Sequence, residues 1–114
     1  MANSTGDLLQ GTLGILILKA LLSGPTHGFG VARWIESTTR EVLTIEEGSL
    51  YPALRRLEDR GWVESQWGVS ENNRRAKYYT ITASGRAQLR AEAELWTRYA
   101  TAVSRVLRTA PAVG

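Results

Sequence analysis

The chain of 114 residues has no cysteine, one histidine, one methionine, one phenylalanine and three prolines. Without cysteine there is no disulfide framework and no thiolate metal cluster, and a single histidine leaves too few imidazoles for a zinc site of the usual ligand types. No metal and no cofactor is expected. Catalytic pairs are missing as well. His27 adjoins Gly28 and has no plausible catalytic companion in sequence, and most acidic residues stand beside basic ones. Nothing supplies the nucleophile with its base, or the carboxylates in a pocket, that catalysis needs, so an enzyme is not expected. Long apolar runs are also absent. The stretch from Leu8 to Leu22 is interrupted by Gly11, Thr12, Gly14 and Lys19, and at about 15 residues it falls short of a membrane span. The opening Met1-Ala2-Asn3-Ser4-Thr5-Gly6-Asp7 lacks the basic start of a signal peptide. A cytoplasmic protein without membrane contact is the expectation.

What is present is enough for one small domain: 43% hydrophobic residues, a formal charge of +3 and a pI near 9.7. Such a balance permits nucleic-acid binding, but the distribution of the charge matters more than its sum. Residues 1–6 are small and polar and are expected to be disordered. Asp7 can cap a first helix running to about Ser23, which Gly24-Pro25 ends. Leu9, Leu13, Leu16 and Ala20 form one stripe of that helix, with Leu8, Ile15 and Leu22 to its side. So many apolar faces predict either burial at the centre of the domain or a second contact surface. A second helix is predicted from Phe29 to Thr38, with Val31, Trp34 and Ile35 facing inward. Gly28 and Gly30 begin a dinucleotide fingerprint, but Arg33 stands where its third glycine belongs, and no nucleotide site is assigned. His27 reads as a capping or packing residue, with a phosphate contact as the alternative.

The segment from Gly48 to Gly61 has two unlike faces. Leu50, Leu54 and Leu57 recur at helical spacing and must lie on a core, while Gly48, Pro52, Arg55 and Arg56 share the opposite face. That face is smooth at its start and cationic one turn later, which suits insertion between phosphate walls. Thr44 with Glu47 has capping-box spacing; Ser49 as N-cap would put Pro52 in the first turn, and this later start is favoured. Gly61 ends the helix. Two strands are predicted at 62–67, with Val63 and Trp67 on one face, and at 77–82, with Tyr79 and Ile81 on one face. The loop 68–76 gathers Arg74 and Arg75 on the side leading to Lys77, which opens the second strand.

Three helices followed by a basic-tipped hairpin make a winged helix-turn-helix: mainly α with a two-stranded β-wing, spanning 7–82. In this arrangement Ser49, Tyr51, Pro52, Arg55 and Arg56 sit on the recognition helix, where Arg55 and Arg56 can reach guanine edges. Arg74, Arg75 and Lys77 on the wing neutralise phosphates. Thr82 is a natural N-cap for a long helix over 83–108, and residues 109–114 are expected to be disordered. Leu89, Ala93, Trp96, Ala100, Val103 and Leu107 repeat at spacings of four and three, a heptad seam that Leu95, Tyr99, Ala102 and Val106 widen. The seam overhangs so small a domain and predicts a homodimer, with Leu9, Leu13, Leu16, Leu89, Trp96, Tyr99, Ala100, Val103 and Leu107 at the interface.

Five segments together carry a family resemblance: Leu9-Gln10-Gly11-Thr12-Leu13, Gly24-Pro25-Thr26-His27-Gly28, Glu47-Gly48-Ser49-Leu50-Tyr51-Pro52-Ala53-Leu54, Arg74-Arg75-Ala76-Lys77-Tyr78-Tyr79 and Thr82-Ala83-Ser84-Gly85. In this order and spacing they resemble the PadR family of bacterial transcriptional regulators, over roughly residues 8–108. The resemblance implies a dimeric DNA-binding protein, usually a repressor, of the short branch with a single C-terminal helix supplying the dimer contact. By position, Ser49, Tyr51 and Pro52 match the family's recognition-helix signature, and Arg74, Arg75 and Lys77 its basic wing. Phe29 departs from the tyrosine common there. Similarity to drug-responsive members suggests that Trp96 and Tyr99 floor a pocket for a small aromatic effector between subunits, with ordinary interface packing by a large aromatic as the alternative. The competing reading is a winged-helix protein-interaction module without specific DNA binding, which would dimerise without salt-sensitive affinity for DNA.

Overall fold

In the computed structural model, which describes residues 4–112 and the side chains of Leu9 and of Gly11 to Ala112, the first helix, α1, runs Ser4–Ala20 and tightens into a 3-10 turn at Leu21–Ser23. It therefore begins within the stretch expected to be disordered; Met1 to Asn3 lie outside the described residues. α1 takes the central position in the domain. Leu13, Ile17, Leu18 and Leu21 are buried, and the helix touches the second, third and fourth helices in turn. A helix that packs on three neighbours needs apolar residues on most of its circumference, which accounts for its weak amphipathicity.

After Gly24 and Pro25, the strand β1 (Thr26–His27) leads directly into α2 (Gly28–Thr38). His27 caps α2: its Nδ1 accepts from the Gly30 backbone N–H at 2.9 Å. Val31, Ala32 and Ile35 are the buried residues beyond the first turn, whereas Trp34, expected to face inward, is 41% exposed. The turn to α3 (Glu47–Asp59) is pinned by Glu36. One of its carboxylate oxygens accepts from the Ile45 N–H at 2.9 Å and the other from Arg33 at 2.9 Å.

Gly61 ends α3 with φ of 77°. The Gly61 N–H donates to Glu58 and the Trp62 N–H to Leu57, the paired bonds of a Schellman stop that a residue with a Cβ adopts only under strain. β2 (Val63–Val69) and β3 (Arg75–Ile81) form the wing, and β1 adds to the other edge of β3, giving an antiparallel sheet in the order β1-β3-β2. The sheet thus has three strands where the sequence predicted two. The hairpin also reaches further than expected, because the ladder continues to Val69↔Arg75 and the Tyr78 hydroxyl donates to the Val69 carbonyl. α4 (Ala83–Arg108) closes the chain, capped by Thr82, whose hydroxyl accepts from the Gly85 N–H at 3.0 Å. A single core joins α1, α2, α3, the sheet and the start of α4 through residues such as Leu54, Val63, Tyr79, Ile81 and Leu89.

Candidate nucleic-acid interface

On α3, Leu50, Ala53, Leu54 and Leu57 are buried, which fixes the helix by its inner stripe. Gly48, Tyr51, Pro52, Arg55 and Arg56 are therefore turned to solvent, and Ser49 is half-buried at the edge. The helix starts at Glu47 with Glu46 as N-cap, and no side chain caps it. Ser49 is consequently not the N-cap, and Pro52 lies beyond the first turn. The helix passes through Pro52 because the carbonyl that loses its partner belongs to exposed Gly48, where water can satisfy it. Tyr51 does not stand free of the domain. Its ring lies against the first turn of α2, so close that a Cβ on Gly28 would fall 2.7 Å from the hydroxyl.

The wing forms the facing wall. Arg74 and Arg75 are exposed and Lys77 is half-buried. The register aligns Ser65 with Tyr79, Trp67 with Lys77 and Val69 with Arg75, so these pairs share one face of the sheet. Tyr79 is buried where that face meets the core. Its phenol is raised above the ordinary value of 10.0, first by burial and then by the Glu58 carboxylate and the Tyr51 phenol. Further out the same face carries Trp67, with the Arg75 guanidinium 4.2 Å and the Lys77 ammonium 5.8 Å from its ring centroid. A hydrogen bond from the Ser65 hydroxyl to the Glu58 carboxylate ties the wing to α3.

Between these walls lies an open groove of about 1500 Å³, with Tyr51, Pro52, Arg55 and Arg56 on one side and Arg74, Arg75 and Lys77 on the other. Phe29 and His27 line its end at the start of α2. Two acids also line it, Glu58, engaged by Ser65, and Glu71 at the hairpin tip. Among the described residues no carboxylate comes within 4.0 Å of Arg55, Arg56, Arg74, Arg75 or Lys77; the one ion pair is Arg33 with Glu36. Cations left unpaired in a concavity concentrate positive potential there, which favours a polyanion. No group of three His, Cys, Asp or Glu side chains that could hold a metal occurs among the described residues.

The residues expected at a dimer interface separate into three sets. Leu9, Leu13 and Leu89 are buried in the core of a single chain. They are not available to a partner, because α1 is central and the start of α4 packs on it. Leu16 and Ala100 are half-buried. Trp96, Tyr99, Val103 and Leu107 are exposed, joined by Leu95 and Val106, and the Trp96 and Tyr99 rings lie 6.4 Å apart, tilted by 39°.

The sequence places Trp67 on the face of Val63 without showing that it stands beyond the core, and no local spacing encodes the contact between Tyr51 and Gly28. The signal for Trp67 was its neighbourhood: a strand that ends in a basic loop carries its last inward residue past the edge of the core.

Residues 17–91 match the transcriptional regulator PadR-like family. Among solved structures, a transcriptional regulator from Clostridium thermocellum is 30% identical, with a TM-score of 0.79 over 87% of this chain and 96% of that one. A PadR family transcriptional regulator from Eggerthella lenta is 31% identical, with a TM-score of 0.76 over 93% and 90%. A PadR-like transcriptional regulator from Bacillus cereus is 26% identical, with a TM-score of 0.76 over 91% and 99%. With the family match covering well over half of its length and the winged-helix architecture shared, the chain belongs to the PadR-like family of transcriptional regulators.

Proposed function

We propose that this regulator is a cytoplasmic repressor, which binds a pseudo-palindromic operator as a homodimer and is released by a small aromatic ligand. The observation that carries the DNA-binding part is the pair of cationic clusters, Arg55 with Arg56 and Arg74 with Arg75 and Lys77, on the two walls of one groove, with no carboxylate within 4.0 Å among the described residues. α3 enters the major groove, where Arg55 or Arg56 meets a guanine edge in a contact that discriminates by about 1–3 kcal/mol. The wing lies along the backbone or in the neighbouring minor groove, and each phosphate it neutralises adds about 0.9 to the slope of log affinity against log salt. Repression follows from occupancy of the promoter. Release follows if the ligand binds two dimer arrangements unequally and so changes the separation of the recognition helices. Trp96 and Tyr99, exposed and adjacent on α4, are the residues on which such a flat ligand would rest. Trp96→Ala is expected to dimerise still but to lose affinity for planar aromatics; unchanged affinity in calorimetry rejects the pocket.

The test of DNA binding is fluorescence anisotropy with a labelled duplex from immediately upstream of the chain's own gene, against a scrambled duplex, at two salt concentrations. The expected result is sequence-selective binding that weakens as salt rises and is lost when Arg55→Ala is combined with Arg74→Ala. Weak binding equal on both duplexes would reject sequence-specific recognition of that site and favour the interaction-module reading.

A further inference from the structure

We infer that Trp67 is a positioning residue for DNA binding, an aromatic platform that holds Arg75 and Lys77 toward the groove before DNA arrives. The role rests on the proposed DNA-binding function and names a residue through which the wing performs it.

Trp67 stands out because it covers no core. Its strand neighbours on the same face, Val63 and Ser65, sit opposite Ile81 and Tyr79, where the sheet lies on the domain, but Trp67 is one pair further out and remains 55% exposed. What packs on it is charge. Lys77 is its direct cross-strand partner and Arg75 its diagonal one, two residues nearer the tip, within the reach that long side chains have across an antiparallel pair. The Arg75 guanidinium lies 4.2 Å from the ring centroid, a stacking distance, and the Lys77 ammonium 5.8 Å, both inside the range of a cation–π contact. Among the described residues neither cation has a carboxylate within 4.0 Å. Their orientation comes from the indole, which restrains them without neutralising them.

That distinction has a physical consequence. An acidic partner would also order these side chains, but it would have to be displaced by phosphate. A π face leaves the charge and most N–H donors available, so the rotamer freedom an arginine loses on binding DNA is largely lost already on folding. The groove-facing placement of Trp67, Arg75 and Lys77 together directs this ordered charge at the space the polyanion would fill.

The experiment is a double-mutant cycle read by anisotropy on the upstream duplex, over a series of salt concentrations, with the full chain. Trp67→Leu keeps an apolar side chain without a π face and is expected to bind about two- to fivefold more weakly, the range an exposed cation–π contact supports. Trp67→Phe, which keeps the π face, is expected to recover most of the loss. In the Arg75→Gln, Lys77→Gln background, Trp67→Leu is expected to have no further effect, because a positioning residue acts only through what it positions. In the free protein, the side-chain protons of Arg75 and Lys77 are expected at upfield NMR shifts that Trp67→Leu abolishes. Equal affinity of Trp67→Leu and wild type overturns the role, as does a loss in the glutamine background as large as in wild type, which would mean that the indole touches DNA itself. A wild-type chain that binds no duplex even at low salt overturns the DNA-binding function and this role with it, whereas intact wild-type binding with an indifferent Trp67→Leu overturns this role alone.

Discussion

Two residues, one at the base of the hairpin and one on the buried floor of the groove, bear on how rigidly the groove is held. Gly85 lies in the first turn of α4, where a Cβ would come 2.1 Å from the Trp62 carbonyl oxygen and 2.9 Å from Ile81 Cγ1. The carbonyl cannot retreat without cost, since it also accepts from the Thr82 N–H. Gly85→Ala is therefore expected to push α4 off the base of the hairpin and to lower stability by about 1–3 kcal/mol, the usual range for an overpacked site. A urea midpoint equal to wild type would show that the two segments separate freely. Tyr79 gives the domain an alkaline limit. Its phenol is raised above 10.0 by burial, by Glu58 and by Tyr51. Below pH 10.0 the phenol is neutral in both folded and unfolded chains, and its contribution to stability is fully present. As pH rises through that value and on through the raised one, the unfolded chain releases the proton first, and stability falls. Tyr79→Phe is expected to remove this part of the alkaline decline in urea midpoints. An unchanged decline would assign it to other groups.

Besides the core they share, α3 and α4 are joined by hydroxyls at their ends. Thr82 accepts from the Gly85 N–H to start α4 and donates to the Gly61 carbonyl at 2.7 Å, just past the end of α3. Ser84 also donates to that carbonyl at 3.1 Å. One side chain thus ties the residue just past the end of α3 to the start of α4. Thr82→Ala is expected to cost about 0.5–2 kcal/mol, the range for a lost cap, and Thr82→Ser to restore most of it; equal midpoints for alanine and serine would separate the hydroxyl from the effect. These element ends are also where the sequence was most and least readable. Thr82 and Gly61 announced themselves, because cap and stop residues act through their own backbone chemistry. The inner stripe of α3 was legible for the same local reason, since Leu50, Leu54 and Leu57 carry the helical period. β1 was not, for two residues show no period and its strand character comes from pairing with Tyr78 and Tyr79. The start of α3 at Glu47 was misjudged because Ser49 and Pro52 favour a later start locally. The turn held by Glu36 across to Ile45 overrides them. Trp34, expected inward, is exposed, and Trp67 shares the face of Val63 as expected but stands past the core, since helix and strand periods say which residues share a face and not where the core beneath it ends.

At the scale of the molecule, the unsolved quantity is surface. The described chain is 64 Å in its longest extent against 31 and 21 Å in the others, and α4, 26 residues long, accounts for the excess. Leu89 is its last fully buried apolar residue, while Tyr99 is 65% and Leu107 78% exposed, with Trp96, Val103 and Val106 between and around them. A contiguous apolar strip of that length on a monomer marks a contact site. The heptad spacing of Trp96, Ala100, Val103 and Leu107 suits a second copy of the same helix. The burial of Leu9 and Leu13 in the core narrows the proposed interface to the outer part of α4 and the half-buried edge of α1 around Leu16. Removing what remains exposed of these α4 side chains from water against a second copy is the gain that would offset the cost of association. Wild type is accordingly expected to melt at a temperature that rises with protein concentration. Val103→Glu combined with Leu107→Glu is expected to sediment as a monomer, with a melting temperature independent of concentration. Because these positions are remote from Arg55 and Arg74, that variant should keep weak, salt-sensitive binding to a single half-site. It should lose the gain that comes from seating two recognition helices about 34 Å apart on one face of the duplex. A monomeric variant that binds the full operator as tightly as wild type would mean that the two grooves do not act together, and the long helix would then need a partner other than its own copy.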